Sequence, residues 1–105
     1  MKNKVKADLR LYLNAHQNKK NQVLHYYAFL FAFLAWIFLF INWKVTLILV
    51  ILHYLFSWIG HFKFEGNKPA AFRYPLIGFY IGFIWFFIRT YEVITRKELI
   101  NKLIE

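Results

Sequence analysis

The chemistry available to this 105-residue chain rests on four histidines, at positions 16, 25, 53 and 61, and on a carboxylate, Glu65, four residues after the last. On a continuing helix His61 and Glu65 share one face about one turn apart. At that spacing both can ligate a metal, or the carboxylate can orient a ligating imidazole. A plain helix-end ion pair explains the same spacing, and the order is the reverse of a zincin H-E-x-x-H, which it does not match. His16 and His25 are nine residues apart. On one helix that leaves them about half a turn out of phase, so they meet only if the chain bends between them, which Asn18 and Asn21 permit. With no cysteine, a thiolate metal site, a disulfide scaffold and a Cys nucleophile are excluded. Three histidines and a carboxylate suit a non-haem Fe(II) centre or, as the alternative, Zn(II). Open positions in such a set tilt it towards iron and oxygen chemistry, while four histidines are too few for a di-iron hydroxylase or desaturase. Taken singly, an interfacial histidine such as His16 or His25 is more often a lipid-headgroup contact than a ligand. His53 is expected to be neutral and bonded across helices to Thr46, Ser57 or a carbonyl.

The elements that must position these groups are apolar. The chain is 60% hydrophobic and 23% aromatic, with 14 Lys+Arg against 5 Asp+Glu. A soluble domain of this length rarely tolerates so much apolar content, and disorder requires the opposite balance. Lys20 and Lys44 bracket 23 uncharged residues, Lys44 and Lys63 bracket 18, and Arg73 and Arg89 bracket 15. A bilayer core takes roughly 20 helical residues. The first run meets that outright, the second with interfacial flanks, and the third is marginal and reads as a transmembrane or re-entrant helix. A signal peptide is not expected, because the first 22 residues are polar and the apolar run that follows is too long. Nucleic-acid binding is not expected either, because the basic residues flank the aromatics and do not interleave with them.

The fold expected is therefore an all-α integral membrane protein forming one domain. Residues 1–22 form an interfacial amphipathic helix, periodic over 4–20 with Val5, Leu9, Tyr12, Leu13 and His16 on its apolar stripe. Residues 23–62 form a two-span hairpin turning at Asn42-Trp43-Lys44. Residues 63–74 form a loop for metal and substrate, and residues 75–105 a third hydrophobic helix with an amphipathic tail. Six Lys/Arg before the first span place the N-terminus in the cytoplasm. The hairpin then returns His61 to the side that holds His16 and His25, so three histidines converge on the cytoplasmic face. Gly66-Asn67-Lys68-Pro69 ends the second helix.

The segment from Trp58 to Pro75, with Gly60, His61, Phe64, Glu65, Pro69 and Ala70, resembles the signature of a small membrane family that includes the fungal 2-hydroxy fatty acid dioxygenase of phytosphingosine α-oxidation. Upstream, His16, Asn21 and His25 match that family's His…Asn…His pattern. The resemblance implies an Fe(II)-dependent dioxygenase that uses O2 to shorten a 2-hydroxy fatty acid by one carbon. It puts His16, His25 and His61 on the metal; Glu65 is expected, on physical grounds, to be catalytic, as a fourth ligand or as the group orienting His61. Asn21, Lys63, Lys68 and Arg73 are expected to bind substrate, the cations holding its carboxylate while the acyl chain lies among membrane lipid. The reading from another class is a non-catalytic membrane scaffold or lipid-binding protein.

Overall fold

The computed structural model describes residues 3–66 and 75–103, and among these every element is helical. In order they are α1 (Asn3–Ala15), α2 (Lys19–Phe38), α3 (Trp43–Ile59), a turn of π-helix (Gly60–Glu65), α4 (Pro75–Thr95) and α5 (Ile100–Leu103). The chain divides into two compact units, one of residues 16–69 and one of residues 1–15 with 70–105.

The first unit is the expected hairpin. Asn18 starts α2 as its N-cap, in an extended conformation, with its side chain accepting from the Lys20 and Asn21 backbone N–H groups. The amphipathic helix expected over 4–20 therefore stops at Ala15, and α2 begins four residues before the position expected for the first span. Asn18 wins because a capped new helix satisfies N–H groups that would otherwise be orphaned. Asn42 opens α3 in the same way, accepting from Lys44 N–H at 3.2 Å. The link is residues 39–42, so of the expected turn Asn42-Trp43-Lys44 only Asn42 lies in it, while Trp43 and Lys44 already belong to α3.

Small residues let the two helices approach closely. Ala28, Ala32 and Ala35 are buried along α2 at three- and four-residue spacing. Two polar ties fix the antiparallel register. Thr46 Oγ donates to Ala35 O at 2.7 Å, and His53 Nδ1 donates to Ala28 O at 2.8 Å. His53 accordingly meets one of its expected partners, a carbonyl, and its role there is to pin the hairpin.

Beyond Ile59 the helix widens. Gly60–Glu65 is π-helical where an α-helical continuation was expected. Such turns recur at functional sites. Gly66 closes it in the left-handed region at φ 68°, its N–H donating to His61 O, a conformation natural to glycine. Residues 63–65 of the expected loop are thus helical, Gly66 caps them, and residues 67–74 lie outside the described residues.

In the second unit, α1 and α4 pack through Leu9, Tyr12 and Trp85, all buried, with the Tyr12 and Trp85 ring centroids 5.5 Å apart. Burial pushes the Tyr12 phenol well above its ordinary pKa, so it stays protonated. Tyr80 donates its hydroxyl to Asp8. The third hydrophobic segment is one continuous helix to Thr95, and Glu92 then accepts from Leu99 and Ile100 N–H at 2.7 and 3.1 Å to start α5.

Two helical stretches, Lys19–Phe38 and Trp43–Glu65, are long and apolar enough to cross a membrane. Only 33% and 22% of their apolar windows are buried within the protein.

Candidate metal centre

The hairpin brings three histidines together at its open end. His16 lies in the short link before α2, His25 two turns into α2, and His61 in the π-turn. All three belong to the same compact unit. Each is nearly inaccessible, at 3%, 2% and 2% exposure. Their ring centroids lie 4.3, 4.4 and 4.6 Å apart, and the rings meet edge to face at 77°, 71° and 84°. One nitrogen from each lies within 4.8 Å of the others. Imidazole nitrogens about 2.0–2.1 Å from a shared ion need only a small inward movement from there. The donor set therefore fits a divalent transition metal. Leucines at these positions would bury more apolar surface at no desolvation cost, so core packing alone does not account for three adjoining imidazoles.

The surroundings orient the rings. His25 Nδ1 lies 3.1 Å from Asn21 O. A carbonyl only accepts, so Nδ1 carries the proton and Nε2 is left as the coordinating atom. Gln22 Nε2 donates to His16 O at 2.8 Å, holding the link before α2.

Asn21 is completely buried. Its Nδ2 donates to Glu65 Oε1 at 3.2 Å, and because a carboxylate only accepts, the amide orientation is fixed. Its Oδ1 then faces Gly60, where a Cβ built on that residue would lie 1.8 Å away. Glu65 Oε1 also accepts from Asn18 N–H at 2.6 Å. One carboxylate thereby ties the π-turn to the start of α2, where the helix dipole favours negative charge.

Asn21, expected to meet substrate, has no exposed surface and works as a bracket between α2 and the π-turn. Glu65 is not in the group of close ligand atoms, and its bonds run to Asn18 and Asn21. Lys63 is exposed, with its ammonium 5.6 Å from the centre of the Phe64 ring, and Lys20 lies 5.7 Å from the same ring. Two cations thus stand over one aromatic ring, that of Phe64 in the π-turn that carries His61. Lys68 and Arg73 lie outside the described residues. Reading the sequence missed Gly60 as a steric requirement and Ser57 as a neighbour of His25. The signal for Ser57 was its place four residues before His61, hence on the same helix face.

A family model described as 2-hydroxy-palmitic acid dioxygenase Mpo1-like matches residues 2–94. The chain belongs to the Mpo1-like family. That family's name speaks of a dioxygenase acting on a 2-hydroxy fatty acid, and the histidine cluster of this Mpo1-like chain provides a place for a metal. No curated protein and no solved structure matches it.

Proposed function

We propose that this Mpo1-like chain is an integral membrane dioxygenase that shortens a 2-hydroxy fatty acid by one carbon, with His16, His25 and His61 holding Fe(II). The observation that carries the reading is the buried, edge-to-face histidine triad in a chain of this family. Overall, RCH(OH)COOH and O2 give RCOOH, CO2 and H2O. The four electrons leaving the acid match the reduction of O2, so no further reductant is required. Bound iron would supply the one-electron steps through which O2 reacts with a closed-shell substrate.

The protein's own residues supply the rest. Asn21 O keeps His25 in the tautomer that leaves Nε2 available. Glu65 holds the π-turn against α2. Lys20 and Lys63 attract the substrate carboxylate to the mouth of the site, and Lys68 and Arg73 are proposed to join them. The acyl chain lies in the bilayer along the aromatic surface of α2 and α3. Trp36, Ile48 and Ile51, exposed on these helices, support that placement, since large exposed apolar side chains mark contact with an apolar partner or membrane. Six Lys/Arg within residues 2–20 support a cytoplasmic position for this end of the hairpin.

The test is anaerobic loading of the purified protein with Fe(II) and 2-hydroxypalmitate, followed by O2. Pentadecanoic acid and CO2 in equal amounts are expected; recovery of unchanged substrate from iron-loaded protein would reject the reading.

The place of Glu65 is testable separately. As a clamp that needs only an acceptor, Glu65→Gln should keep metal binding within about threefold of wild type, whereas Glu65→Ala should weaken it about 10- to 100-fold. A metal ligand behaves differently, because the Gln variant would then lose metal as severely as the Ala variant. Metal titration of the two variants separates the cases.

A further inference from the structure

Ser57 stands one helical turn before His61 on α3, and its hydroxyl oxygen lies 3.1 Å from His25 Nε2. Because His25 Nδ1 gives its proton to Asn21 O, a neutral His25 presents only a lone pair at Nε2. The Ser57 O–H is therefore the donor of this bond. The described helical threonines bond to carbonyls: Thr46 of α3 donates across the hairpin to Ala35 O. Thr90 and Thr95 each donate to the carbonyl four residues back, at 2.8 Å, the usual use of a hydroxyl inside a helix. Ser57, like Thr46, reaches across to α2, but it engages an imidazole nitrogen, the one of His25 that remains for coordination.

That lone pair cannot serve a hydroxyl and a metal together. We propose that Ser57 is a positioning residue of the triad. Its hydroxyl holds His25 Nε2 in the metal-free chain and, once displaced, donates to an oxygen of the 2-hydroxy acid seated beside His25. The inference rests on the triad being the metal site proposed above. Rotation about χ1 re-aims the hydroxyl without moving the backbone, and its face of α3 keeps it turned to the triad. Both uses need only a donor at this point, so threonine should replace serine and alanine should not.

Three measurements on the full chain in detergent test this. In metal-free protein labelled with 15N-histidine, Ser57→Ala should shift the His25 Nε2 resonance in the direction of a pyridine-type nitrogen that has lost a hydrogen-bond donor, with Ser57→Thr unchanged. In a Co(II) titration Ser57→Ala should bind about fivefold more tightly than wild type, the size expected when one neutral hydrogen bond no longer competes. In the Zn(II)-loaded protein, where no turnover occurs, Ser57→Ala should bind 2-hydroxypalmitate about fivefold more weakly, and Ser57→Thr should match wild type in both titrations. Co(II) affinity in Ser57→Ala equal to or below that of wild type overturns the guarding role. Unchanged acid affinity overturns the donor role. A wild-type chain that takes up no Co(II) defeats the metal site itself, and the 15N shift then decides the Ser57–His25 bond alone.

Discussion

His61→Ala should strip the protein of stoichiometric metal while His53→Ala leaves the metal in place. The two histidines lie on the same helical run, and both are buried. They differ in what they reach. His61 lies in the close triad with His16 and His25, whereas His53 donates to Ala28 O. Removing one of the three imidazoles proposed to hold the metal should weaken binding by at least the roughly 100-fold that marks a lost outer-shell partner, and product formation should vanish with it. His53→Ala should instead cost stability, about 2–4 kcal/mol from the cavity and the unpaired hairpin tie, at unchanged metal stoichiometry. Elemental analysis of both variants, beside thermal unfolding in detergent, checks the contrast. Equal metal content in His61→Ala and wild type would favour the scaffold reading, in which the histidines meet headgroups or each other.

The second large effect is expected from a single methyl group. Gly60 has ordinary helical dihedrals, φ −58° and ψ −48°, so Gly60→Ala gains about 1 kcal/mol of helix propensity. Against that, its Cβ would fall 1.8 Å from Asn21 Oδ1 and 3.3 Å from the His25 ring. The Asn21 side chain must shift to admit the methyl, and that same side chain carries the bond from Nδ2 to Glu65. The bracket must open, leaving a buried amide unsatisfied at a cost of about 1–3 kcal/mol, with overpacking of similar size added. The clash wins: Gly60→Ala should be net destabilised by about 2–4 kcal/mol and should lose metal affinity about 10- to 100-fold. Gly66→Ala is the matched control. It meets nothing within 4 Å but sits at φ 68°, so it should cost about 1–2 kcal/mol of strain and leave metal affinity untouched. A Gly60→Ala protein as stable as wild type with full metal affinity would mean that Asn21 is not the bracket described.

The residues explain what could be read in advance. Convergence of His16, His25 and His61 was legible because charge-free runs of spanning length force a hairpin, and a hairpin returns its ends to one side. The carbonyl partner of His53 was legible because a buried neutral imidazole has few other choices. The end of α1 at Ala15 was not, since the apolar period runs through His16 and only the cap formed by Asn18 interrupts it. The π-turn was invisible for a related reason: residues 60–65 carry no local signal for an extra residue per turn. The partners of Glu65 were hidden by distance along the chain, because Asn18 lies 47 residues away, and only the register set by Thr46 and His53 brings the two together.

That separation has a consequence for how the molecule is made. A bond closing so long a loop is entropically costly until other contacts have already drawn its ends together. The pairing of α2 with α3 can zip from the tight turn at Asn42, where contacts are local, towards the open end, where Glu65 meets Asn18 last. Late contacts act on unfolding and not on folding. Glu65→Ala should accordingly leave the refolding rate unchanged and speed unfolding, and a change confined to refolding would place the clamp early. The metal site would then be the final piece to assemble, and an ion held there would act as a kinetic lock on a finished hairpin.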